Sequence, residues 1–179
     1  MANVIIIRPI SESWDGELYK RALSIPHGPL TLSAHLLDKG FDPLIIDEIA
    51  LTETIRNEIS ETTINKLTSA MQKEKPICVG ITSMTGEQIR RGKLFAEMVR
   101  EFDEAIPVVW GGAHPSLLPE MTIEDKSVDL ICTGEGDISF PILVKELQKN
   151  GSGNLNKVPG LVYREKNNEI KKTKPAPLY

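Results

Sequence analysis

Five short apolar runs constrain this chain more than any other feature. They are Asn3 to Ile7, Pro43 to Asp47 (Leu44-Ile45-Ile46), Ile77 to Thr82, Ile106 to Trp110 and Val128 to Cys132. Each is followed by a turn rich in glycine, proline or hydroxyl residues, and most of these turns lead into a stretch with helical spacing. Continuous β-branched runs without alternation describe strands buried on both faces. Strands that alternate with helices pair in parallel through right-handed crossovers.

The expected fold is therefore α/β: a Rossmann-like or flavodoxin-like five-stranded parallel sheet, order 2-1-3-4-5, flanked by helices. Gly28-Pro29 opens the first helix, which carries Leu32, His35 and Leu36 and closes at Gly40. A second helical stretch runs from about Thr52 to Lys73, with a break expected around Glu61-Thr62-Thr63. A third reaches Phe102 with Ile89, Leu94, Phe95, Met98 and Val99 inward. Pro115 and Pro119 allow only a helical turn or two, and a last helix carries Ile138, Ile142, Leu143 and Leu147. Gly151-Ser152-Gly153-Asn154 reads as a hinge, dividing residues 1–151 from a linker and small β-hairpin in 152–179. The hairpin strands are Gly160 to Tyr163 and Glu169 to Lys172, joined through Lys166-Asn167-Asn168.

With 179 residues, 40% of them hydrophobic and 26% charged, the chain can bury a full core. A net charge of −4, without Lys/Arg runs interleaved with aromatics, argues against a nucleic-acid partner. No apolar run has membrane-spanning length, and Val4 to Ile7 is too short for a signal peptide, so no membrane partner and a cytoplasmic location are expected. Cys78 and Cys132, each inside an apolar run, are expected to be buried thiols. Two distant cysteines hold neither an iron–sulfur cluster nor a structural zinc site unaided.

Open α/β sheets bind ligands beyond the carboxyl ends of their strands. Four loops are expected there: Ile10–His27, Thr82–Thr85, Gly111–Pro115 and Thr133–Asp137. Their small and polar residues make a broad mouth of exposed backbone, suited to a large planar ligand. Val108-Val109-Trp110-Gly111-Gly112-Ala113-His114-Pro115 is its centre, because paired glycines remove side chains and permit positive φ. The same turn without any ligand is the plain alternative. A Walker loop, GxGxxG after the first strand, GxSxG and HExxH are all missing. The pattern describes a binder with no catalytic or metal-ligating set of its own. The readings left open are a cofactor site, a cofactor-free α/β protein-interaction domain, and a flavin or nucleotide binder with altered loops.

An ordered set of residues narrows this choice. It comprises Arg8-Pro9, Pro29-Leu30 with Leu36 and Gly40, Asp47, Val79-Gly80-Ile81-Thr82-Ser83, Val109 to Pro115 with Pro119-Glu120, Asp129, and Gly134-Glu135-Gly136-Asp137. Together with the tail Val158 to Tyr163, this set resembles the cobalamin-binding domain at the N-terminus of many radical S-adenosylmethionine enzymes. That group includes methyltransferases and the oxidative cyclase of anaerobic chlorophyll synthesis.

The resemblance implies a corrinoid across the carboxyl edge, its nucleotide tail running down past Ser83 and Gly111-Gly112. It nominates Thr82, Ser83, Gly111, Gly112, Ala113, His114, Pro115, Thr133, Gly134, Glu135 and Gly136 as cofactor contacts, with Trp14 and Tyr19 from the long loop. Each has a plainer role open to it. His114 touches the corrin or starts a helix before Pro115, and Thr82 and Ser83 bond the tail or cap the next helix. Trp14 and Tyr19 cover the corrin or pin their loop. Glu135 and Asp137 accept from corrin amides or answer the helix dipole.

Related domains place a histidine on cobalt through DxHxxG. His27-Gly28 has Ile25 in place of the aspartate and Leu30 in place of the final glycine, so base-off binding without that histidine is expected. The CxxxCxxC of a four-iron–four-sulfur cluster is missing too. The cluster, S-adenosylmethionine and the radical chemistry would then belong to a catalytic domain outside these residues. Replacing Gly112 by a bulky residue is expected to abolish corrin retention and leave the domain folded.

Overall fold

The computed structural model describes residues 3–11, 25–51, 58–73, 75–149, 153–165 and 167–177. Five parallel strands form as the run-and-turn pattern predicts: β1 (Val4–Arg8), β2 (Pro43–Asp47), β3 (Cys78–Thr82), β4 (Val108–Gly111) and β5 (Leu130–Cys132). Their order is β2-β1-β3-β4-β5. The C-terminal hairpin, β6 (Leu161–Arg164) and β7 (Ile170–Lys172), continues the same sheet antiparallel beyond β5, giving seven strands among the described residues. Cys132 sits opposite Leu161 and Leu130 opposite Tyr163. Strand β5 is apolar throughout and would be a bare edge in a five-stranded sheet. The hairpin pairs its backbone groups and removes that liability.

Alternation along β1 sends Ile5 and Ile7 to one face and Val4 and Ile6 to the other, all four buried. Helices α3 (Glu61–Lys73) and α4 (Glu87–Phe102) cover the first face, through Leu67, Met71, Phe95 and Val99. Helices α1 (His27–Asp38) and α7 (Gly136–Leu147) cover the second, through Leu36, Phe140, Leu143 and Val144. Three short helices, α2 (Glu48–Leu51), α5 (Ala113–Leu117) and α6 (Pro119–Ile123), follow β2 and β4.

Two sequence expectations shift in detail. The break expected around Glu61–Thr63 lies just ahead of that point, at residues 58–60, and Glu61 opens α3, where the Thr63 N–H donates to Ser60 Oγ at 3.3 Å. In α7 the inward face belongs to Phe140, Leu143 and Val144, whereas Ile138 and Ile142 are only half-buried.

Candidate functional site

A cavity of 140 Å³ lies on the α1/α7 face of the sheet and opens at the carboxyl edge. Its floor is Ile6, Gly80 and Val109, mid-strand residues of β1, β3 and β4, so it descends along the strands instead of stopping at the rim. Thr82, Gly111, Gly112 and Gly134 form the rim, and the starts of α1 and α7 contribute Gly28, Glu135, Gly136 and Asp137. Neither Pro26 nor Glu135, the residues preceding those helices, caps with its side chain. At the start of α1 the His27 N–H is taken by Ile25 O and Pro29 has none, which leaves the Gly28 N–H, while α7 begins with Gly136 and Asp137 at the groove.

Six glycines line this groove, and four of them answer to the fold itself. A Cβ at Gly80 would stand 3.0 Å from the Phe140 ring, and one at Gly136 would stand 3.0 Å from a Leu32 methyl. Gly134 has φ +73°. Gly112 combines φ +101° with a Cβ position only 2.6 Å from the Ser83 carbonyl oxygen. Two glycines have no such internal reason. Among the described residues, a Cβ at Gly28 meets nothing within 4 Å, and one at Gly111 meets only Cys132 O at 3.8 Å. These two leave room that nothing in the described fold fills. The expectation that a bulky residue at Gly112 would spare the fold does not survive this geometry, because the Ser83 backbone occupies the space.

Hydrogen bonds tie the strand exits into one belt. Glu48 Oε2, after β2, accepts the Ile10 N–H at 2.9 Å. Gln88 Nε2 donates to Pro9 O at 2.8 Å, and Gln88 Oε1 accepts the Met84 N–H at 2.7 Å. The His114 N–H donates to Ser83 O at 3.2 Å. Ser116 Oγ donates to Gly112 O at 2.7 Å and accepts from the Gly134 N–H at 2.9 Å. Thr133 donates through N and Oγ to Gly160 O, and the Gly160 N–H reaches Lys174 O.

Of the nominated residues, Thr82, Gly111, Gly112, Gly134, Glu135 and Gly136 come together around the groove. Ser83, Ala113, His114, Pro115 and Thr133 do not line it. Ser83 is fully buried, its hydroxyl turned to Met84 O at 2.9 Å. His114 and Pro115 are buried, and Ala113 is exposed on α5. Trp14 and Tyr19 lie outside the described residues. Trp110 packs its indole against Gly92 of α4, on the opposite face. Asp47 pairs with Arg8 at 3.2 Å, and Asp129 Oδ2 accepts the Val108 N–H at 2.7 Å, so both hold neighbouring strands in place. Among the described residues, no group of three or more His, Cys, Asp or Glu side chains could hold a metal ion.

Ser116 was not legible as a site residue, because both its partners are backbone groups, one of them 18 residues away. A larger trough of 570 Å³ runs between α1 and α7 and shares Asp137 with the groove. It lies on the helix flanks toward Gly40 and Gln148, away from the strand ends. His35 Nδ1 stands 4.0 Å from Asp137 Oδ1 where the two cavities meet. Burial pushes the groove-lining Cys132 thiol up to about 12.

Beneath the β1 and β2 exits, Arg91 and Glu48 form a fully buried ion pair at 3.1 Å. Its angles leave the Arg91 nitrogens and Glu48 Oε1 without a formed hydrogen bond. Burial pushes the Glu48 carboxyl upward, against the Ile10 N–H and Arg91, which pull it down.

Residues 25–144 match the family model described as B12 binding domain. An uncharacterized methyltransferase of Pyrococcus horikoshii is 28% identical over 179 residues, covering 98% of this chain and 35% of the relative. The cytidylyl-2-hydroxyethylphosphonate methyltransferase of Streptomyces wedmorensis is 27% identical over 190 residues, with 98% and 34% covered. The chain thus spans about a third of the length of these curated relatives. Among solved structures, the radical S-adenosylmethionine methyltransferase TsrM of Kitasatospora setae, with cobalamin and a [4Fe-4S] cluster bound, superposes with TM-score 0.74. It is 19% identical, and the match covers 100% of this chain and 30% of that one. The cobalamin-dependent S-adenosylmethionine radical enzyme OxsB, with aqua-cobalamin and S-adenosylmethionine bound, gives TM-score 0.68 at 22% identity, covering 98% and 22%.

Proposed function

Because the chain belongs to the B12-binding domain family, with cobalamin as its cofactor, we propose that it holds a base-off corrinoid for a radical S-adenosylmethionine methyltransferase. The groove carries this reading. It descends from the carboxyl edge to Ile6 and Gly80, and at Gly28 and Gly111 it leaves open the space that a side chain would take. A nucleotide tail entering there would meet the start of α1, where the Gly28 N–H could donate to its phosphate. The carboxylates of Glu135 and Asp137 would accept from corrin amides. Thr82, Gly111, Gly112 and Gly134 would border the ligand. Bound cobalamin supplies a methyl carrier, and this chain's residues bind it, orient it and shield the buried part from water.

Base-off binding is proposed because neither Ile25 nor Leu30 completes the DxHxxG pattern around His27. Methyl transfer is favoured over oxidative cyclisation because both curated relatives are named methyltransferases. The catalytic domain with its cluster and S-adenosylmethionine would be a separate part of the parent enzyme, reached through residues 152–179. Purified protein mixed with hydroxocobalamin and desalted should retain corrin absorption in the visible spectrum. A colourless protein with unchanged melting temperature would refute the reading. Electron paramagnetic resonance of the cob(II)alamin form tests the axial position, where nitrogen superhyperfine splitting would contradict base-off binding.

A further inference from the structure

We propose that Ser116 is a positioning residue for the cobalamin nucleotide tail, its hydroxyl setting the separation of the two glycine turns that flank the groove. The proposal rests on the cobalamin reading above and adds a residue that makes no contact with the cofactor. Ser116 Oγ spends its proton on Gly112 O, at 2.7 Å, and accepts the Gly134 N–H at 2.9 Å. Both turns line the groove, and Ser116 itself does not.

The two ends of this bridge differ in packing. Gly112 is wedged against the Ser83 backbone and cannot shift without moving the β3 exit. Gly134 is exposed, and a Cβ built there would meet nothing within 4 Å. Thr133 holds the Gly134 turn on its β5 side through Gly160 O, and the Ser116 hydroxyl is the link that references it to the Gly112 turn across the groove. The spacing arises locally: Ser116 lies four residues after Gly112, where a helical hydroxyl reaches back to the i−4 carbonyl. In α5 that carbonyl belongs to the rim turn itself.

Removing the hydroxyl returns the exposed Gly134 N–H to water, which costs the fold little. It also frees one wall of the groove, which costs the ligand its fitted slot. Ser116→Ala in the full chain should thus shift the melting temperature by no more than about 3 °C. Affinity for hydroxocobalamin should fall about tenfold. Ser116→Thr, which keeps the hydroxyl, should restore affinity to within about twofold of wild type. Cobinamide, a corrin without the nucleotide, should lose clearly less affinity than cobalamin in Ser116→Ala, because the tail fills the groove while only Glu135 and Asp137 at its mouth meet the corrin.

Equal cobalamin affinity in Ser116→Ala and wild type would overturn the proposal. So would Ser116→Thr as weak as alanine, or a cobinamide loss matching the cobalamin loss. Failure of wild type itself to retain cobalamin would instead overturn the reading on which the proposal rests.

Discussion

Gly112→Ala separates the two reasons a glycine can stand at the rim. The residue has φ +101° and ψ −170°, a region that side-chain-bearing residues avoid at a cost of about 1–3 kcal/mol. Its Cβ would stand 2.6 Å from Ser83 O and 3.0 Å from Ser83 N, both backbone atoms of a fully buried residue that cannot rotate away. Forcing an atom into that gap adds about 1–3 kcal/mol of overpacking. The central expectation is a loss of about 4 kcal/mol, or a melting temperature lowered by about 8–16 °C in a domain of this size. The assay is thermal unfolding followed by far-ultraviolet circular dichroism, in cofactor-free protein so that ligand linkage does not contribute. Gly111→Ala is the control, since its Cβ meets only Cys132 O at 3.8 Å. Were Gly112→Ala to melt within about 2 °C of wild type, the argument that the fold needs this glycine would be wrong.

Gly28→Leu should behave oppositely: no described residue lies within 4 Å of its Cβ, so the melting temperature stays near wild type while the side chain fills the groove and hydroxocobalamin is lost on desalting. Retained colour would mean that the tail does not pass Gly28. Removing the carboxylate with Glu48→Ala leaves the buried Arg91 guanidinium only its longer pairing with Glu87, at 3.9 Å, and should cost about 3 kcal/mol in urea unfolding. Most of this should return in Glu48→Ala with Arg91→Met, and a single-variant cost below about 1 kcal/mol would dismiss the pair as structural. Burial raises both thiols above their unfolded values, Cys132 to about 12. Their contribution is fully present below the unfolded thiol value of about 8.5 and is lost as pH rises toward the folded values, at about 1.4 kcal/mol per pH unit per thiol. Urea unfolding at pH 8 and pH 10 reads this slope, and Cys132→Ala should lessen it. An unchanged stability across that interval would contradict the assignment.

The strands were legible because runs such as Ile5-Ile6-Ile7 and Val108-Val109 are buried on both faces and carry no competing signal. The rim turns were legible as glycine and hydroxyl clusters, but their individual reasons were not. Sequence treats Gly111 and Gly112 alike. Only the crossing of Gly112 over Ser83 shows that one serves the fold while the other leaves the groove open. Ser83 shows the same limit: a hydroxyl at the right register turns to Met84 O once the turn closes. The break before α3 was legible to within a few residues, and its exact place was not, because the Ser60 hydroxyl that caps the helix fixes it only once the chain is folded. The hairpin was visible as two strands, yet its attachment to β5 depends on long-range pairing that no local pattern encodes.

That attachment also sets the polarity of the chain's exit. Strand β5 travels toward the opening, β6 travels away from it, and β7 returns, so residues 173–177 lie at the same edge as the groove, with Lys174 O on the Gly160 N–H. One strand in place of two would have delivered the polypeptide to the far side of the sheet. A dye attached at residue 176 is thereby stationed beside the opening, where an absorbing macrocycle would quench its emission and turn occupancy into a fluorescence signal.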